Sequence, residues 1–383
     1  MKIVSIGSDR SVFEDDSVVR GRLLEQASLV SELHVIVFTP KGEKFKKLEL
    51  GRQLTVYPTS SAGKFAFLPD AYRIGCEILK GVHGQEKGKT KWLVSTQDPF
   101  ESGGIGYLLA RRFGIPLHVA LHTDPFSKEW KNERMSNHVR FAVAAFLLRN
   151  AAGVRVVSER IARSVRALGV PALRITRVPI YVDVQNFIDA KPTFDLHRSY
   201  PEFTQIVLSI GRLQPEKNFH GLIRAFAKVR KTHDGALLLI VGSGPERDRL
   251  LTLANSLDLG RSVTILPWAR DVVSYYKTCD IYAQPSLYEG WGLAVIEAMA
   301  SGTPVIMSDV GCAGEVVRSE ETGLVVQPRN EEELVFGLNR LLSDNRLRLN
   351  LSGNGVKEAL LLATKAETLM LYQESWEKAV GSK

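Results

Sequence analysis

The chain has 383 residues, 44% hydrophobic and 24% charged. That is the composition of a globular protein long enough for two cores, and its longest uncharged apolar run, residues 141–148, is too short to span a bilayer. The formal net charge of +8 is uneven, with 28 Lys and Arg against 19 Asp and Glu in residues 1–190 and 22 against 23 in the remainder, so the first half faces either an anionic partner or solvent.

Residues 1–7 read as a strand and lack the architecture of a signal peptide. Cys76, Cys279 and Cys312 are scattered, offer no metal spacing and suggest a reducing compartment. Strands are expected at residues 3–6, 34–38, 54–57, 92–96, 117–121, 154–157 and 175–178, with helices over 18–30, 68–82 and 105–113. Pro179, Pro192 and Pro201 then mark an interruption. A second series follows, with strands at 206–210, 237–241, 263–266, 281–284, 304–307 and 324–326, and helix from 330 onward with breaks near Ser343 and Ser352. This alternation predicts an α/β chain with two Rossmann-like parallel-sheet domains facing a central cleft. The expected bounds are 1–180, a linker over 181–204, a second domain over 205–364, and a C-terminal helix over 365–383 that either stays there or crosses back to the first domain. Ligands of such sheets sit at the carboxyl ends of the strands.

The densest signal runs from Pro285 to Asp309 and reads as loop, helix, turn and strand. Its loop carries Glu289, Gly290 and Gly292. Leu293, Ile296 and Ala300 set a helical period, which Gly302 and Pro304 end. Glu297 is the one acid between Glu289 and Asp309, set in an otherwise apolar helix. It is either held there by a partner, since an unpaired charge is costly, or faces solvent. The free N–H groups from Gly292 through Leu293 to Ala294 form an anion site. A phosphate at that helix end, with carboxylates on either side for hydroxyl groups, describes a sugar nucleotide. Upstream, Gly211 lets the backbone turn after a strand, and Arg212 and Lys217 follow it. Two cations there stabilise a departing diphosphate, unless they are surface charges at a helix entrance. Gly242 and Gly244 permit close backbone approach after the next strand. Trp268 follows another strand and either meets a ligand or packs the domain. His122 ends a strand of the first half, where it polarises a sugar hydroxyl or leaving oxygen or is tied into its loop. Asp98, Gly103 and Gly104 occupy a similar strand end, expected on the acceptor side.

The segment from Tyr288-Glu-Gly-Trp-Gly-Leu through Glu297-Ala-Met-Ala-Ser-Gly-Thr-Pro-Val resembles the E-x(7)-E signature of the retaining glycosyltransferases of family 4, which have the two-domain GT-B fold. Gly211-Arg212 with Lys217 resembles that family's G-R-x(4)-K element. The resemblance is nearly full length, strong over 206–326 and weaker before. It implies that Arg212 and Lys217 grip the donor's phosphates and that Gly242, Gly244 and Trp268 lie near the nucleotide. It also implies that a His at position 122 approaches the transferred sugar. The family's Gly-Gly pair after the first strand is replaced by Gly7-Ser8-Asp9-Arg10, with Ser8 on the acceptor side.

The resulting expectation is a retaining, hexosyltransferase-type enzyme. It would move a sugar from a nucleotide-diphosphate sugar to a glycan or lipid-linked acceptor in polysaccharide or glycolipid biosynthesis. Glu297 would take the ribose hydroxyls and Glu289 those of the donor sugar. No metal or other cofactor is expected, because no acids cluster at metal spacing. A GT-B-fold epimerase and a non-catalytic nucleotide-sugar-binding protein are the alternatives. Nucleic acid is disfavoured, since basic residues are not interleaved with aromatics. The expected location is cytoplasmic. Residues 138–149 form an apolar helix with Arg140 and Arg149 near its ends, followed by Arg155, Arg160, Arg163 and Arg166. That pattern fits either peripheral contact with anionic lipid on the inner membrane face or a core helix beside solvated arginines.

Overall fold

The computed structural model describes residues 1–42, 44–80 and 91–381. The chain divides into two compact units, one of residues 1–179 with 365–383 and one of residues 180–364. The first unit runs β1 (Lys2–Gly7), α1 (Val18–Ala27), β2 (Glu32–Val37), β3 (Leu48–Leu50), β4 (Leu54–Pro58), α2 (Phe67–Leu79), β5 (Trp92–Thr96), α3 (Glu101–Phe113), β6 (Leu117–Leu121), α4 (Lys128–Glu133), α5 (Ser136–Asn150), β7 (Gly153–Val156), α6 (Glu159–Ala167) and β8 (Ile175–Arg177). Its strands are ordered β3-β4-β2-β1-β5-β6-β7-β8. All pairings are parallel except β3, which lies antiparallel on β4.

The second unit runs α7 (Val184–Asp189), α8 (Leu196–Ser199), β9 (Gln205–Ile210), α9 (Phe219–Val229), β10 (Ala236–Val241), α10 (Arg247–Ser256), β11 (Val263–Leu266), α11 (Val272–Thr278), β12 (Ile281–Gln284), α12 (Leu293–Ala300), β13 (Val305–Ser308), β14 (Leu324–Val326), α13 (Glu331–Ser343) and α14 (Asn345–Leu360). Its sheet, β11-β10-β9-β12-β13-β14, is parallel throughout. The final helix, α15 (Lys365–Gly381), packs in the first unit against β7 and β8.

Burial explains why the strands read as continuous apolar runs. β10, Ala-Leu-Leu-Leu-Ile-Val, is buried at every position, as a parallel strand covered on both faces must be. Its core joins Phe226, Leu222 and Ile223 of α9 to Leu338 and Leu341 of α13. In the first unit Trp376 and Ala379 of α15 join Ile3, Leu33 and Leu93. Gly153 makes that docking possible, since a Cβ there would come 2.7 Å from Ala379 Cβ.

Several boundaries moved for local reasons. The helix expected from residue 105 begins at Glu101, because Asp98 Oδ1 accepts from the Phe100 N–H at 2.7 Å and Ser102 Oγ donates to Asp98 Oδ2 at 2.6 Å. α2 ends at Leu79; Val82, the expected end, lies outside the described residues. β3, with three residues, is too short to show a period. The break expected near Ser352 is absent. Ser352 lies inside α14, where its Oγ donates to the Gly302 carbonyl at 2.6 Å. Residues 181–204 carry α7, which packs on α12 and α14, and Thr193, whose N–H donates to Ser274 Oγ at 2.7 Å.

Candidate functional site

Both sheets change strand order beside their first strand, between β1 and β5 and between β9 and β12. Such switch points open crevices at the strands' carboxyl ends. The charged residues singled out in the sequence collect there.

In the second unit, Gly211 leaves β9, and the backbone of β10's exit crosses directly over it. A Cβ on Gly242 would lie 1.9 Å from the Gly211 carbonyl oxygen, so only glycine fits. Arg212 is open, with its side chain 73% exposed and an ion pair to Glu216 at 3.3 Å. Lys217 reaches across the switch point to the loop after β12, where Nζ donates to Glu289 Oε1 at 2.5 Å. The same oxygen accepts from Ser286 Oγ at 2.8 Å and Gln284 Nε2 at 3.2 Å. Leu287 N–H to the Glu216 carbonyl (2.7 Å) and Asn218 Nδ2 to the Pro285 carbonyl (3.1 Å) tie the two loops together. Glu289 is thus a fixed acceptor with a second oxygen left over, and Lys217 is oriented by it.

Gly290 is buried beside it. Gly292 caps α12 with φ 101°, a left-handed conformation that glycine adopts freely, and no side chain caps this helix end. The first-turn N–H groups of Leu293 and Ala294 therefore have no partner within the helix and carry its positive end. Glu297 lies within α12 and is largely buried. Tyr276 of α11 donates its hydroxyl to Glu297 Oε2 at 3.0 Å. Burial pushes the Glu297 carboxyl above the usual carboxylate range, against the lowering effect of that hydrogen bond. Trp268, expected either to meet a ligand or to pack the domain, is 57% exposed beyond β11, and its backbone N–H donates to Ser243 Oγ at 3.2 Å in the Gly242–Gly244 loop. Among the described residues no group of three His, Cys, Asp or Glu could hold a metal ion.

In the first unit, a cavity of about 270 Å³ opens at the β1–β5 switch point, with Ser8 and His122 in its lining. The always-charged Arg155 donates from Nη2 to His122 Nε2 at 2.6 Å. The same ring nitrogen lies 3.1 Å from Gln97 Oε1. Burial, then Arg155 and Arg22, hold His122 well below its usual pKa, so it is a neutral ring. Asp98 is occupied at both oxygens in the turn that leads into α3, and burial raises its pKa. Gly103 packs under the Asp98 carbonyl, which a Cβ would approach to 2.9 Å, while Gly104 faces open space.

The basic surface expected from residues 140–166 is smaller than the sequence suggests. Arg155 is 2% exposed within β7. Arg140 pairs with Glu101 at 2.9 Å, Arg149 Nε donates to the Leu168 carbonyl at 2.8 Å, and Arg166 pairs with Glu159. α5 is neither fully core nor fully surface. Ala144, Leu147 and Leu148 are buried, whereas Val139, Val143 and Phe146 are 67%, 40% and 50% exposed, with Met135 at 92% just before the helix. Among the described residues no helix is long and apolar enough to cross a membrane.

Sequence reasoning missed Tyr276, Gln284, Ser286 and the Arg22–Arg155–Gln97 surroundings of His122. Gln284 and Ser286 stand just before the Glu289 loop and were findable. A charge inside the strand Gly-Val-Arg-Val was also a signal, and it was read as surface instead. Tyr276 lies on a separate helix and left no pattern.

Two family models match, the glycosyl transferase 4-like domain over residues 31–180 and the glycosyl transferases group 1 model over residues 197–358. The D-inositol 3-phosphate glycosyltransferase of Nocardia farcinica is 31% identical over 277 residues, covering 64% of this chain and 58% of that protein. An uncharacterised glycosyltransferase of Methanocaldococcus jannaschii is 36% identical over 156 residues, covering 40% of each. The chain thus spans 40% to 58% of the length of these curated relatives. Among solved structures, sucrose-phosphate synthase from Thermosynechococcus elongatus superposes with TM-score 0.80 at 25% identity over 100% of both chains. Anabaena HepE in complex with UDP-glucose superposes with TM-score 0.72 at 20% identity over 98% of both. With a 4-like domain followed by a group 1 domain on two parallel-sheet units, the chain belongs to the GT-B-fold glycosyltransferases.

Proposed function

We propose that this chain transfers a sugar, with retention of anomeric configuration, from a nucleotide-diphosphate sugar to a glycan or lipid-linked acceptor. The observation that carries the reading is the β9–β12 switch point. Arg212, a Glu289-oriented Lys217 and the uncapped start of α12 stand at one end of one sheet, and each suits an oxyanion. Glu297 is a buried acid one helical stretch away.

In this reading the bond between the anomeric carbon and the diphosphate oxygen breaks first, through an oxocarbenium-like state. Negative charge accumulates on the leaving oxygen, where Arg212, Lys217 and the α12 N–H groups offset it without a metal. The acceptor hydroxyl bonds to the same face of the carbon and gives its proton to the departing diphosphate. Glu289 accepts from donor-sugar hydroxyls with its unshared oxygen, and Glu297 from the ribose. Gly242, Gly244 and Trp268 border the nucleotide, and His122, a neutral ring, polarises a sugar hydroxyl. The structural likeness to HepE, which was solved with UDP-glucose bound, makes that sugar nucleotide the first donor to try. Exposed Met135, Val139, Val143 and Phe146, in the half with excess basic charge, suit peripheral contact with an anionic, cytoplasm-facing membrane surface in glycolipid or polysaccharide synthesis. Incubation with a donor panel and mixed acceptors, followed by mass analysis, tests the reading. A glycosylated acceptor supports it, whereas an isomerised donor with no acceptor product replaces it with an epimerase.

A further inference from the structure

We propose that Tyr276 and Tyr282 are positioning residues for the two acids of the β9–β12 switch point, Tyr276 holding Glu297 directly and Tyr282 holding Glu289 through Gln284. This rests on the reading above for what the acids meet, ribose hydroxyls at Glu297 and donor-sugar hydroxyls at Glu289.

Both tyrosines are fully buried, Tyr276 on α11 and Tyr282 on β12. Their rings meet edge to face with centroids 5.4 Å apart, a geometry that aromatic pairs favour. Phe187 of α7 adds a second edge contact to Tyr276 at 6.2 Å. A buried hydroxyl needs a partner, and the two hydroxyls of this pair serve different acids. Tyr276 Oη donates to Glu297 Oε2 at 3.0 Å. Tyr282 Oη stands where two strands part. β9 and β12 pair only at Val207–Ile281 and Leu208–Tyr282. Beyond that point the hydroxyl lies 3.2 Å from the Ile210 carbonyl oxygen and 3.1 Å from Gln284 Oε1. Burial, before any other cause, holds both phenols well above their ordinary range, so each keeps the proton that it donates.

Gln284 passes the restraint on. Its Nε2 donates to Glu289 Oε1 at 3.2 Å. The reverse amide orientation would set an oxygen against that carboxylate, so the amide oxygen faces Tyr282 and accepts from it. Gln284 ends β12, is 4% exposed and is in register with Met307 of β13. Of the three donors to Glu289 Oε1 it alone stands in the sheet, since Lys217 and Ser286 come from connecting segments. Exchanging the two oxygens of Glu289 would break all three bonds, so its other oxygen keeps one direction. A site held on a strand in this way is preorganised.

The two tyrosines therefore predict different losses, and calorimetric titration of the full chain with UDP and with UDP-glucose separates them. ADP and ADP-glucose, or GDP and GDP-glucose, replace these if the wild type binds them more tightly. Tyr276→Phe should weaken the nucleotide and its glucose ester alike, by about tenfold, since both carry the ribose. Tyr282→Phe should weaken only the glucose ester, by about fivefold, and leave the nucleotide within about twofold. Gln284→Met should repeat the Tyr282→Phe pattern, and the double variant should lose no more than Gln284→Met alone. It also carries the Glu289 half of the test if Tyr282→Phe does not melt cooperatively. General loosening of the second unit would move both ligands together in every variant and cannot produce this crossed pattern. Both ligands weakened alike by Tyr282→Phe and Gln284→Met, or wild-type affinity for both in Tyr276→Phe or in Gln284→Met, overturns the proposal and leaves the donor reading standing. A wild type that binds no nucleotide and no glucose ester overturns the donor reading and this proposal with it, before any variant is made.

Discussion

Replacing Glu297 by Gln separates a binding role from a structural one, because the two move stability and affinity in opposite directions. The Glu297 carboxyl has its pKa raised by burial, so its charged form is less comfortable folded than unfolded. At pH 7 that charge opposes folding, and the opposition fades as the pH falls through the raised folded pKa. Glutamine removes the charge, keeps the volume, and still accepts from the Tyr276 hydroxyl that donates at 3.0 Å. E297Q should therefore melt at or slightly above the wild-type temperature at pH 7. If the carboxylate accepts two hydroxyl groups from the ribose, each hydrogen bond loses its charge assistance, about 1–1.5 kcal/mol. The sum, about 2–3 kcal/mol, corresponds to roughly 30- to 150-fold in Kd. Calorimetric titration with UDP and the other nucleoside diphosphates, paired with scanning calorimetry, reads both quantities. Unchanged affinity for every nucleotide, or a melting temperature lowered by several degrees, would refute the assignment.

Arg212→Ala and Lys217→Ala should each slow transfer by roughly 10²-fold or more, and the double variant by less than the product, because both cations act on one group. Lys217→Ala also leaves Glu289 with only Ser286 and Gln284 as donors, so Lys217→Ala/Glu289→Gln should recover stability without recovering rate. Turnover should persist in excess chelator; loss that a divalent ion restores would point to a metal. His118 is held down to about pKa 3 by burial and Arg155, between Ser95 Oγ at 3.0 Å and Ser375 Oγ at 2.8 Å. Its folded pKa lies below the unfolded value, so stability is lost as pH falls below about 6.5, by about 2 kcal/mol at pH 5. His118→Gln should flatten that part of the stability profile. The protein should sediment with anionic vesicles and release as salt rises, and serine at Val139, Val143 and Phe146 should abolish it. Equal partitioning onto neutral vesicles would dismiss the charge argument.

The sheets were legible because parallel strands are buried on both faces and read as unbroken apolar runs, such as residues 236–241. Trp92–Thr96 and Leu117–Leu121 match their expected bounds for that reason. Helix starts were less legible. The α3 entrance depends on Asp98 and Ser102 bonding to each other and the backbone, a matter of geometry that residue period does not carry. The Glu289–Glu297 stretch could be found because an acid inside an apolar helix demands a partner. Which partner could not be read, since Tyr276 comes from another helix. Arg155 shows the same limit from the other side. Its neighbours in sequence placed it among surface arginines, while its strand register placed it beneath α15.

The most direct measurement is the anomeric configuration and mass of the product formed from UDP-glucose, or whichever donor the screen selects, by proton NMR of the purified material. An acceptor heavier by one sugar residue, with the donor's anomeric configuration kept in the new bond, is the predicted result. An inverted linkage, or a donor that is only hydrolysed or isomerised in the presence of every acceptor offered, would contradict it.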